Sequence, residues 1–229
     1  MRPVASVVTG SAVNTAATSK VVRNTYTLLA MTLLFSAVTA AVSMAVNPPP
    51  FTGMIASLVS LALIWFVLPR TAHSVAGLGV AFAITGLLGF GLGPVLNHYL
   101  AMANGGMIVM NALATTGITF LGLSAYVLTT KKDFSFMGGF LMAGMIAVIA
   151  LSLIAMIAAW GFGADISMVS LGISGAVVLL MSGLILFETS NIVNGGETNY
   201  IMATVGLYLS LYNLFTALLH LIGAFSGDD

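Results

Sequence analysis

The sequence contains very few charged residues and no cysteine. Only six Lys and Arg and six Asp and Glu occur among 229 residues, which is 5% of the chain, whereas a soluble domain carries roughly 25%. So few charges cannot cover the surface of a soluble protein, and the zero formal net charge gives no indication of nucleic-acid binding. The absence of cysteine excludes disulfides, thiol catalysis and cysteine-ligated metal sites.

Long hydrophobic runs take the place of the missing charges. Hydrophobic residues make up 59% of the chain, and a helix of about 20 mainly apolar residues crosses the hydrocarbon core of a bilayer. Proline, glycine, asparagine and charged residues separate the runs and end the helices. We therefore predict an all-α membrane protein, in which a seven-helix transmembrane bundle at 26–224 lies between an N-terminal tail, 1–25, and a short C-terminal tail, 225–229. The predicted spans are 26–46, 52–69, 76–96, 107–128, 136–160, 165–194 and 200–223.

The basic residues predict how this bundle is oriented. With seven spans, all six of them fall on the side of the N-terminus, and basic residues favour the cytoplasmic side of a membrane. We therefore expect the N-terminus in the cytoplasm and the C-terminus, with Asp228 and Asp229, outside. Six or eight spans would instead place the C-terminus inside. The six basic residues are Arg2, Lys20, Arg23, Arg70, Lys131 and Lys132.

Small and polar residues form one stripe along the last span. They are spaced alternately four and three residues apart, which places them on one face of a helix. Such residues allow close packing and hydrogen bonds between helices, so we expect the last helix to be central in the bundle. The stripe is either packing surface alone or the lining of a polar pathway. Its members are Asn199, Ala203, Gly206, Ser210, Asn213, Ala217 and His220.

The fourth span shows a weaker stripe of the same kind, which we interpret as a packing face. Asn111 and Thr115 from this stripe, together with Asn191 and His220, are secondary candidates for a polar pathway. Pairs of small residues four positions apart also predict close helix contacts. The stripe comprises Asn111, Thr115, Ile118, Gly122 and Ala125, and the pairs are Gly89 with Gly93, Gly139 with Ala143, and Gly172 with Ala176.

Glu188 is an acidic residue well inside a predicted span. If the sixth helix continues to the predicted stop at Gly195 and Gly196, Glu188 lies about 10 Å from its cytoplasmic end. The negative end of the helix dipole and partial removal from water both favour the protonated form of its carboxyl group. One hypothesis is therefore that Glu188 senses or relays protons. The alternative is that its side chain reaches the interface or bonds to a neighbouring Ser or Asn.

The sequence lacks the motifs of the common enzyme classes. It contains no P-loop, no HExxH and no GxSxG, and the glycine-rich segment 89–93 does not complete a dinucleotide-binding pattern. His73, His98 and His220 are far apart and show no metal-ligand spacing. Glu197, at the start of the last span, fits a helix cap or loop residue. We therefore expect no enzymatic activity, no cofactor and no metal site.

Three distinctive stretches lie near the end of the chain. They read Phe-Glu-Thr-Ser-Asn-Ile at 187–192, Gly-Gly-Glu-Thr-Asn-Tyr-Ile at 195–201 and Leu-Tyr-Leu-Ser-Leu-Tyr-Asn-Leu-Phe at 207–215. With these stretches the chain resembles the Bax inhibitor 1 family, also called the transmembrane Bax-inhibitor-motif proteins, and within it the bacterial YccA branch. The resemblance implies seven helices with the last one central. It also implies two activities, modulation of the membrane-anchored FtsH protease in the bacterial inner membrane or a pH-sensitive calcium leak.

The resemblance also implies which residues would gate such a leak. In the calcium-leak members, two aspartates on the last two helices share protons and gate the pore. Glu188 matches the first aspartate, Ser210 the second, and Asn213 the asparagine that follows. Because a serine cannot ionise, the coupled titration of two carboxylates is lost. Glu188, Ser210 and Asn213 are thus candidates for proton sensing or gating, and calcium or protons are the candidate permeant ions.

The predicted N-terminal tail supports the protease interpretation. Residues 1–25 are rich in Ser, Thr, Ala and Asn and have little apolar surface to bury, so we predict a disordered cytoplasmic tail. A protease that extracts membrane proteins needs a loose segment to grip, and the resemblance implies that this tail provides it. Our first hypothesis is therefore a non-enzymatic modulator of FtsH in the inner membrane. A pH-sensitive calcium or proton leak channel at Glu188 and an uncharacterised transporter are the alternatives.

Overall fold

The part of the chain that the structure describes contains eight α-helices and no strand. This computed structural model describes residues 5–226, with side chains from residue 16 onward. Arg2, Asp228 and Asp229, which bear on the predicted orientation, lie outside the described residues. The helices are α1 (Ala5–Val46), α2 (Thr52–Ala62), α3 (Leu68–Thr71), α4 (Val75–Leu100), α5 (Gly105–Thr130), α6 (Gly138–Phe162), α7 (Ser167–Val193) and α8 (Tyr200–Ser226).

Seven helical stretches in the described residues are long and apolar enough to cross a bilayer. One of them, Thr52–Thr71, combines α2, a π-helical turn at Leu63–Val67 and α3, and each of the others contains one long α-helix. The predicted all-α fold with seven spans is therefore confirmed by length and composition. The cytoplasmic placement of the N-terminus stays a prediction.

The second span continues two residues past Pro69, where the sequence predicted its end. Proline lacks an N–H, and its ring clashes with the carbonyl four residues earlier in a regular helix. The π-helical turn widens the helix just before this point, and the N–H of Leu68 donates to the carbonyl of Leu63, five residues back. The wider turn makes room for Pro69, so the helix ends only at Thr71.

Two predicted helix ends are confirmed by the backbone. Asn47 follows α1 with φ 50°, and the three prolines after it cannot continue the helix. Gly195 follows α7 with φ 78°, a left-handed conformation that glycine adopts without strain. The N–H of Gly196 then donates to the carbonyl of Asn191 at 2.8 Å, which satisfies a carbonyl in the last turn of α7.

The last helix, α8, is the centre of the bundle, as predicted. It packs against α1, α4, α5 and α7. Of an apolar stretch of 18 residues within it, 56% are buried. The Tyr208 hydroxyl donates to the carbonyl of Thr85 on α4 at 3.2 Å and lies 2.6 Å from the hydroxyl of Ser36 on α1. The Thr204 hydroxyl donates to the carbonyl of Tyr200 on its own helix at 2.7 Å and lies 3.2 Å from the carbonyl of Thr25 on α1. These bonds join α8 to α1 and α4 in the interior.

Helix α1 starts earlier than the predicted first span. It begins at Ala5, so helical structure covers most of the segment that we predicted to be a disordered tail. Thr25 is fully buried, and Val21 and Val22 pack against the core. The average composition of residues 1–25 is polar, so it gave no sign that Val21 and Val22, about one turn before the predicted span, pack against the core. Residues 1–4 lie outside the described range.

The predicted packing face of α5 is wrong within this chain. All five residues of the predicted face are exposed and do not point into the bundle, and Ile118 is 73% exposed. They are Asn111, Thr115, Ile118, Gly122 and Ala125. The buried face lies one to three residues away along the helix. Lipid-facing and buried positions are both apolar in a membrane helix, so hydrophobicity does not tell them apart. The buried residues are Gly105, Ile108, Ala112, Thr116, Phe120, Ser124 and Val127.

One of the three pairs of small residues makes the predicted helix contact. A Cβ at Gly89 or Gly93 would overlap Ser36 or Ser43 of α1, so these glycines allow α4 and α1 to approach closely. At Gly139 and Gly172 a Cβ would meet no atom within 4 Å, and the predicted contact is absent there. The close α1–α4 contact therefore requires glycine at 89 and 93, whereas Gly139 of α6 and Gly172 of α7 lie on open surfaces where a side chain would fit.

Replacing Gly89 should weaken the bundle at this interface. We expect Gly89→Leu to lower the free energy of unfolding by about 1–3 kcal/mol, because the new side chain must displace α1. Denaturant titration of the purified protein in detergent, followed by circular dichroism, measures this change. Gly139→Leu is the matched control at an open position and should leave the free energy nearly unchanged. Equal effects of the two substitutions would contradict the α1–α4 contact.

Candidate functional site

Glu188 and Ser210 meet between the last two helices. The Ser210 hydroxyl donates to Oε2 of Glu188 at 2.8 Å. Ser210 is 2% exposed, and Glu188 is partly buried. The carboxyl group also lies over Gly206, one turn earlier on α8, where a Cβ would come within 2.8 Å of Oε1. The small side chains at 206 and 210 thus form the space that the carboxyl group occupies.

The run Glu188, Thr189, Ser190 connects α7 to four other parts of the structure: α8, α1, α5 and the loop between α5 and α6. Successive helical residues point about 100° apart, so the three side chains face different neighbours. The Thr189 hydroxyl lies 3.4 Å from the hydroxyls of Tyr26 on α1 and Ser124 on α5. In the sequence, Thr189 and Ser190 stand out only as part of the family motif. The polar run itself, inside a predicted membrane helix, was the signal that could have identified them as contact residues.

Ser190 holds the loop between α5 and α6. Its hydroxyl accepts a hydrogen bond from the N–H of Phe134 at 2.9 Å and donates to the carbonyl of Lys132 at 3.1 Å. The amide of Asn194 donates to the same hydroxyl oxygen at 3.2 Å. The end of α7 that carries Glu188 is therefore attached to a loop that contains two of the basic residues, Lys131 and Lys132.

Asn213, the third predicted gating residue, is not part of this contact. Its side chain is exposed, and its amide donates to the carbonyl of Leu209 on its own helix at 2.8 Å. The structure thus brings together two of the three gating candidates, Glu188 and Ser210. The carboxyl group receives a neutral hydroxyl donor where the family pattern has a second acid, so a shared proton between two carboxylates is not available here.

The four secondary candidates lie in separate places. Asn191 contacts Gly196 at the end of α7, whereas Asn111 and Thr115 are exposed on the outer face of α5. Nδ1 of His220 lies 2.8 Å from the hydroxyl of Ser174. Ser174 is 14 residues before Glu188 on α7, which is about 21 Å along the helix. These residues therefore do not line one polar path with Glu188.

Asn199 joins the start of α8 to the turn between α3 and α4. Its side-chain oxygen accepts from the N–H of Ile201 at 2.9 Å, which caps α8, and its amide donates to the carbonyl of Ala72 at 2.9 Å. The carboxylate of Glu197 accepts from the N–H of Asn199 at 2.7 Å, as expected for a loop or cap residue. A cavity of about 500 Å³ lies beside these contacts and includes His73 in its lining.

Two carboxylates lie at the two ends of α6, outside the spans. Asp133 accepts from the N–H of Ser135 at 2.8 Å, and Asp165 accepts from the hydroxyl of Ser167 at 2.6 Å. These hydrogen bonds stabilise the charged forms and hold the pKa of both carboxyl groups below the usual value. Both groups are exposed and lie outside the candidate spans on either side of α6. Among the described residues, no three His, Cys, Asp or Glu are grouped to hold a metal.

The contact between Glu188 and Gly206 can be tested with a double-mutant cycle. We expect Gly206→Val to lower the free energy of unfolding by about 1–3 kcal/mol, because the new methyl groups push the carboxyl group away from Ser210. Glu188→Ala removes the obstructed group, so the double variant should lose less than the sum of the two single variants. Denaturant titration in detergent measures all three, with Gly122→Val on α5 as the control. Strictly additive losses would contradict this geometry.

Known proteins match almost the entire chain. A family model described as "Inhibitor of apoptosis-promoting Bax1" matches residues 18–227. The "Modulator of FtsH protease YccA" of Escherichia coli (strain K12) is 50% identical over 211 residues, which are 92% of this chain and 93% of that protein. The "Inner membrane protein YccA" of Escherichia coli O6:H1 gives the same identity and coverage. An "Uncharacterized membrane protein" of Vibrio cholerae is 46% identical over 221 residues, 96% of each chain.

Proposed function

Because the chain belongs to the Bax inhibitor 1 family, we propose that it is a non-enzymatic inner-membrane protein that modulates an FtsH-type protease. The observation that carries this proposal is the 50% identity over 92% of the chain to a protein named as a modulator of FtsH. Identity at that coverage extends over all seven spans instead of one motif. The partner, the activity and the location are those in the names of the Escherichia coli relatives.

Contacts at one end of the bundle support a cytoplasmic face for the protease. Thr18 lies beside Gly195, Ser190 holds Lys132, and Asn199 holds the turn after α3. The beginning of α1 and the loops after α3, α5 and α7 therefore meet at the same end. Four of the five basic residues within the described range lie in these segments, and the fifth, Arg70, lies in the last turn of α3. Such an excess of positive charge favours the cytoplasm.

The beginning of α1 provides a starting point for a protease that pulls on the chain. Side chains at 16, 17, 19 and 20 are exposed, whereas packing against the core begins at Val21. In this proposal the residues before Val21 are the segment that the protease grips. Further pulling would have to separate α1 from α4 at the glycine contacts and break the bond between Ser36 and Tyr208 of α8. A bundle held in this way resists extraction and occupies the protease.

Co-reconstitution with a purified FtsH-type protease tests this proposal. We expect the full chain to slow degradation of a reporter membrane substrate and to be degraded slowly itself in the presence of ATP. Removing residues 2–15 should abolish its own degradation, because the helix that remains begins close to the packed region. A variant with residues 2–15 in scrambled order is the matched control and should behave like the natural chain.

Two results would contradict separate parts of the proposal. An unchanged rate of reporter degradation with the full chain present would refute the modulator function. Equal degradation of the full and shortened chains would refute only the role of the N-terminal segment.

A pH-sensitive leak remains the second candidate, and Glu188 is the observation that favours it. A carboxyl group within a candidate span that touches the central helix is a common element of proton and ion pathways. The neutral Ser210 beside it is the feature that weighs against the mechanism with two carboxylates, because only one group can titrate.

Flux measurements in proteoliposomes separate the two candidates. If the chain acts as a protease modulator alone, calcium and proton flux should equal that of empty liposomes from pH 6 to pH 8, the range around neutrality where a carboxyl group poised for function would titrate. Glu188→Gln keeps a hydrogen-bond acceptor for Ser210 and should change nothing, as should Glu197→Gln in the loop. A flux that varies with pH and disappears only in Glu188→Gln would establish the leak.

A further inference from the structure

A groove opens sideways between α1 and α5, with α8 at its base. This α1–α5 groove has a volume of about 480 Å³. Leu211 and Phe215 of α8 form the base, and Leu96 of α4 lies at the back. At one end Phe120 lines the groove, and its ring lies 6.0 Å from that of Tyr26 on α1, so α1 and α5 meet there. The groove therefore ends inside the bundle and is open toward the membrane.

The surface of the groove is almost entirely apolar. Its lining consists mainly of Leu, Ala, Val and Phe side chains. The hydroxyls of Ser36 and Tyr208 bond to each other, and Tyr208 also donates to Thr85. The Thr116 hydroxyl donates to the carbonyl of Ala112 at 2.7 Å. Three of the four hydroxyls on the lining, all except that of Tyr212, are thus bonded within the protein, so the groove favours an apolar ligand.

The length of the groove matches one leaflet of a bilayer. On α5 the lining runs from Val109 to Leu121, about 18 Å at 1.5 Å per residue. Half of the roughly 30 Å hydrocarbon core is about 15 Å. Leu100, the last residue of α4, also lines the groove, so the end away from Phe120 reaches the level of the loop between α4 and α5. The groove thus extends from the membrane surface to mid-depth.

The volume of the groove is too small for a helix. A helix with its side chains is about 10–12 Å wide, so an 18 Å segment of it would fill roughly 1,400–2,000 Å³, whereas the groove has about 480 Å³. A single hydrocarbon chain needs far less space than a helix. Lipid tails also surround the open side of the groove, since α1, α4 and α5 are all candidate membrane spans.

From the apolar lining, the leaflet-matched length and the limited volume, we propose that the α1–α5 groove binds one acyl chain of a membrane phospholipid. The headgroup lies at the level of the loop between α4 and α5, and the end of the chain reaches Phe120. The bound chain covers Leu211 and Phe215, so that lipid completes the packing around α8 where no helix does. Filling the groove also restores the dispersion contacts that an empty space would lose.

Gly117 allows the groove to be blocked without disturbing the helices. It lines the groove on α5, and a Cβ there would meet no atom within 4 Å. Gly117→Phe therefore places a ring in the space of the acyl chain. Gly122→Phe is the matched control, because Gly122 is an open position on the same helix outside the groove. Ala37→Phe blocks the groove from the α1 side and serves as a second variant.

Photolabelling tests the proposal on the full chain in phosphatidylethanolamine vesicles that contain a phospholipid with a diazirine on its acyl chain. We expect the label in peptides that include residues 33–44 and 109–121 to exceed the label on the outer face of α6. In Gly117→Phe and Ala37→Phe this excess should be lost, while Gly122→Phe keeps it. Circular dichroism and gel filtration verify that each variant is folded.

Two outcomes would overturn the proposal. The first is that the groove peptides carry no more label than the outer face of α6, or that their excess of label survives in both blocking variants. Either result would show that lipid contacts in the groove are no different from those of an ordinary membrane surface. Cross-links between two copies of the chain across the α1–α5 groove, in place of lipid label, would assign the groove to an interface with a second copy.

Discussion

The hydrocarbon core of a bilayer offers no hydrogen-bond partners, and this constraint determines the position of α8. Tyr208 and Ser210 carry polar groups into the middle of a membrane-spanning helix, and both must find their partners within the protein. Thr85 and Ser36 bind Tyr208, and Glu188 binds Ser210. These partners are on α1, α4 and α7, so satisfying α8 assembles the helices around it.

The same constraint explains why Glu188 and Ser210 are a pair. A carboxyl group at this depth is costly unless it is hydrogen bonded, and a serine on the central helix provides a donor without adding a second charge. The contact needs no proton to be shared, because a hydroxyl can donate to either form of the carboxyl group. The contact between the last two helices can therefore form with either protonation state, which agrees with the proposal of a modulator that resists extraction.

The sequence predicted the parts of the fold that depend on polar, small or helix-ending residues, which differ from the apolar residues that also face lipid. Asn47 and Gly195 end helices because the backbone there cannot continue, and the stripe on α8 was visible because its residues are small or polar. The buried face of α5 was missed because Ile108 and Phe120, which contact protein, are as apolar as Ile118, which does not. Asn213 was misplaced for another reason: its amide bonds to its own helix at Leu209, so it can face outward.

Contacts between distant parts of the chain were beyond sequence analysis. The α5–α6 loop is attached to Ser190 across a separation of 56 residues, and no local sequence pattern predicts such a contact. A groove is even harder to predict from sequence than a contact, because it lies where α1 and α5 do not touch. The α1–α5 groove also bears on the proposed resistance of α1 to extraction. Helix α1 is held on one side by α4 and at its base by α8, and on the open side a bound lipid chain would press against it. Pulling α1 away would then expose the groove as well as the helix contacts, so lipid and protein packing would oppose the protease together.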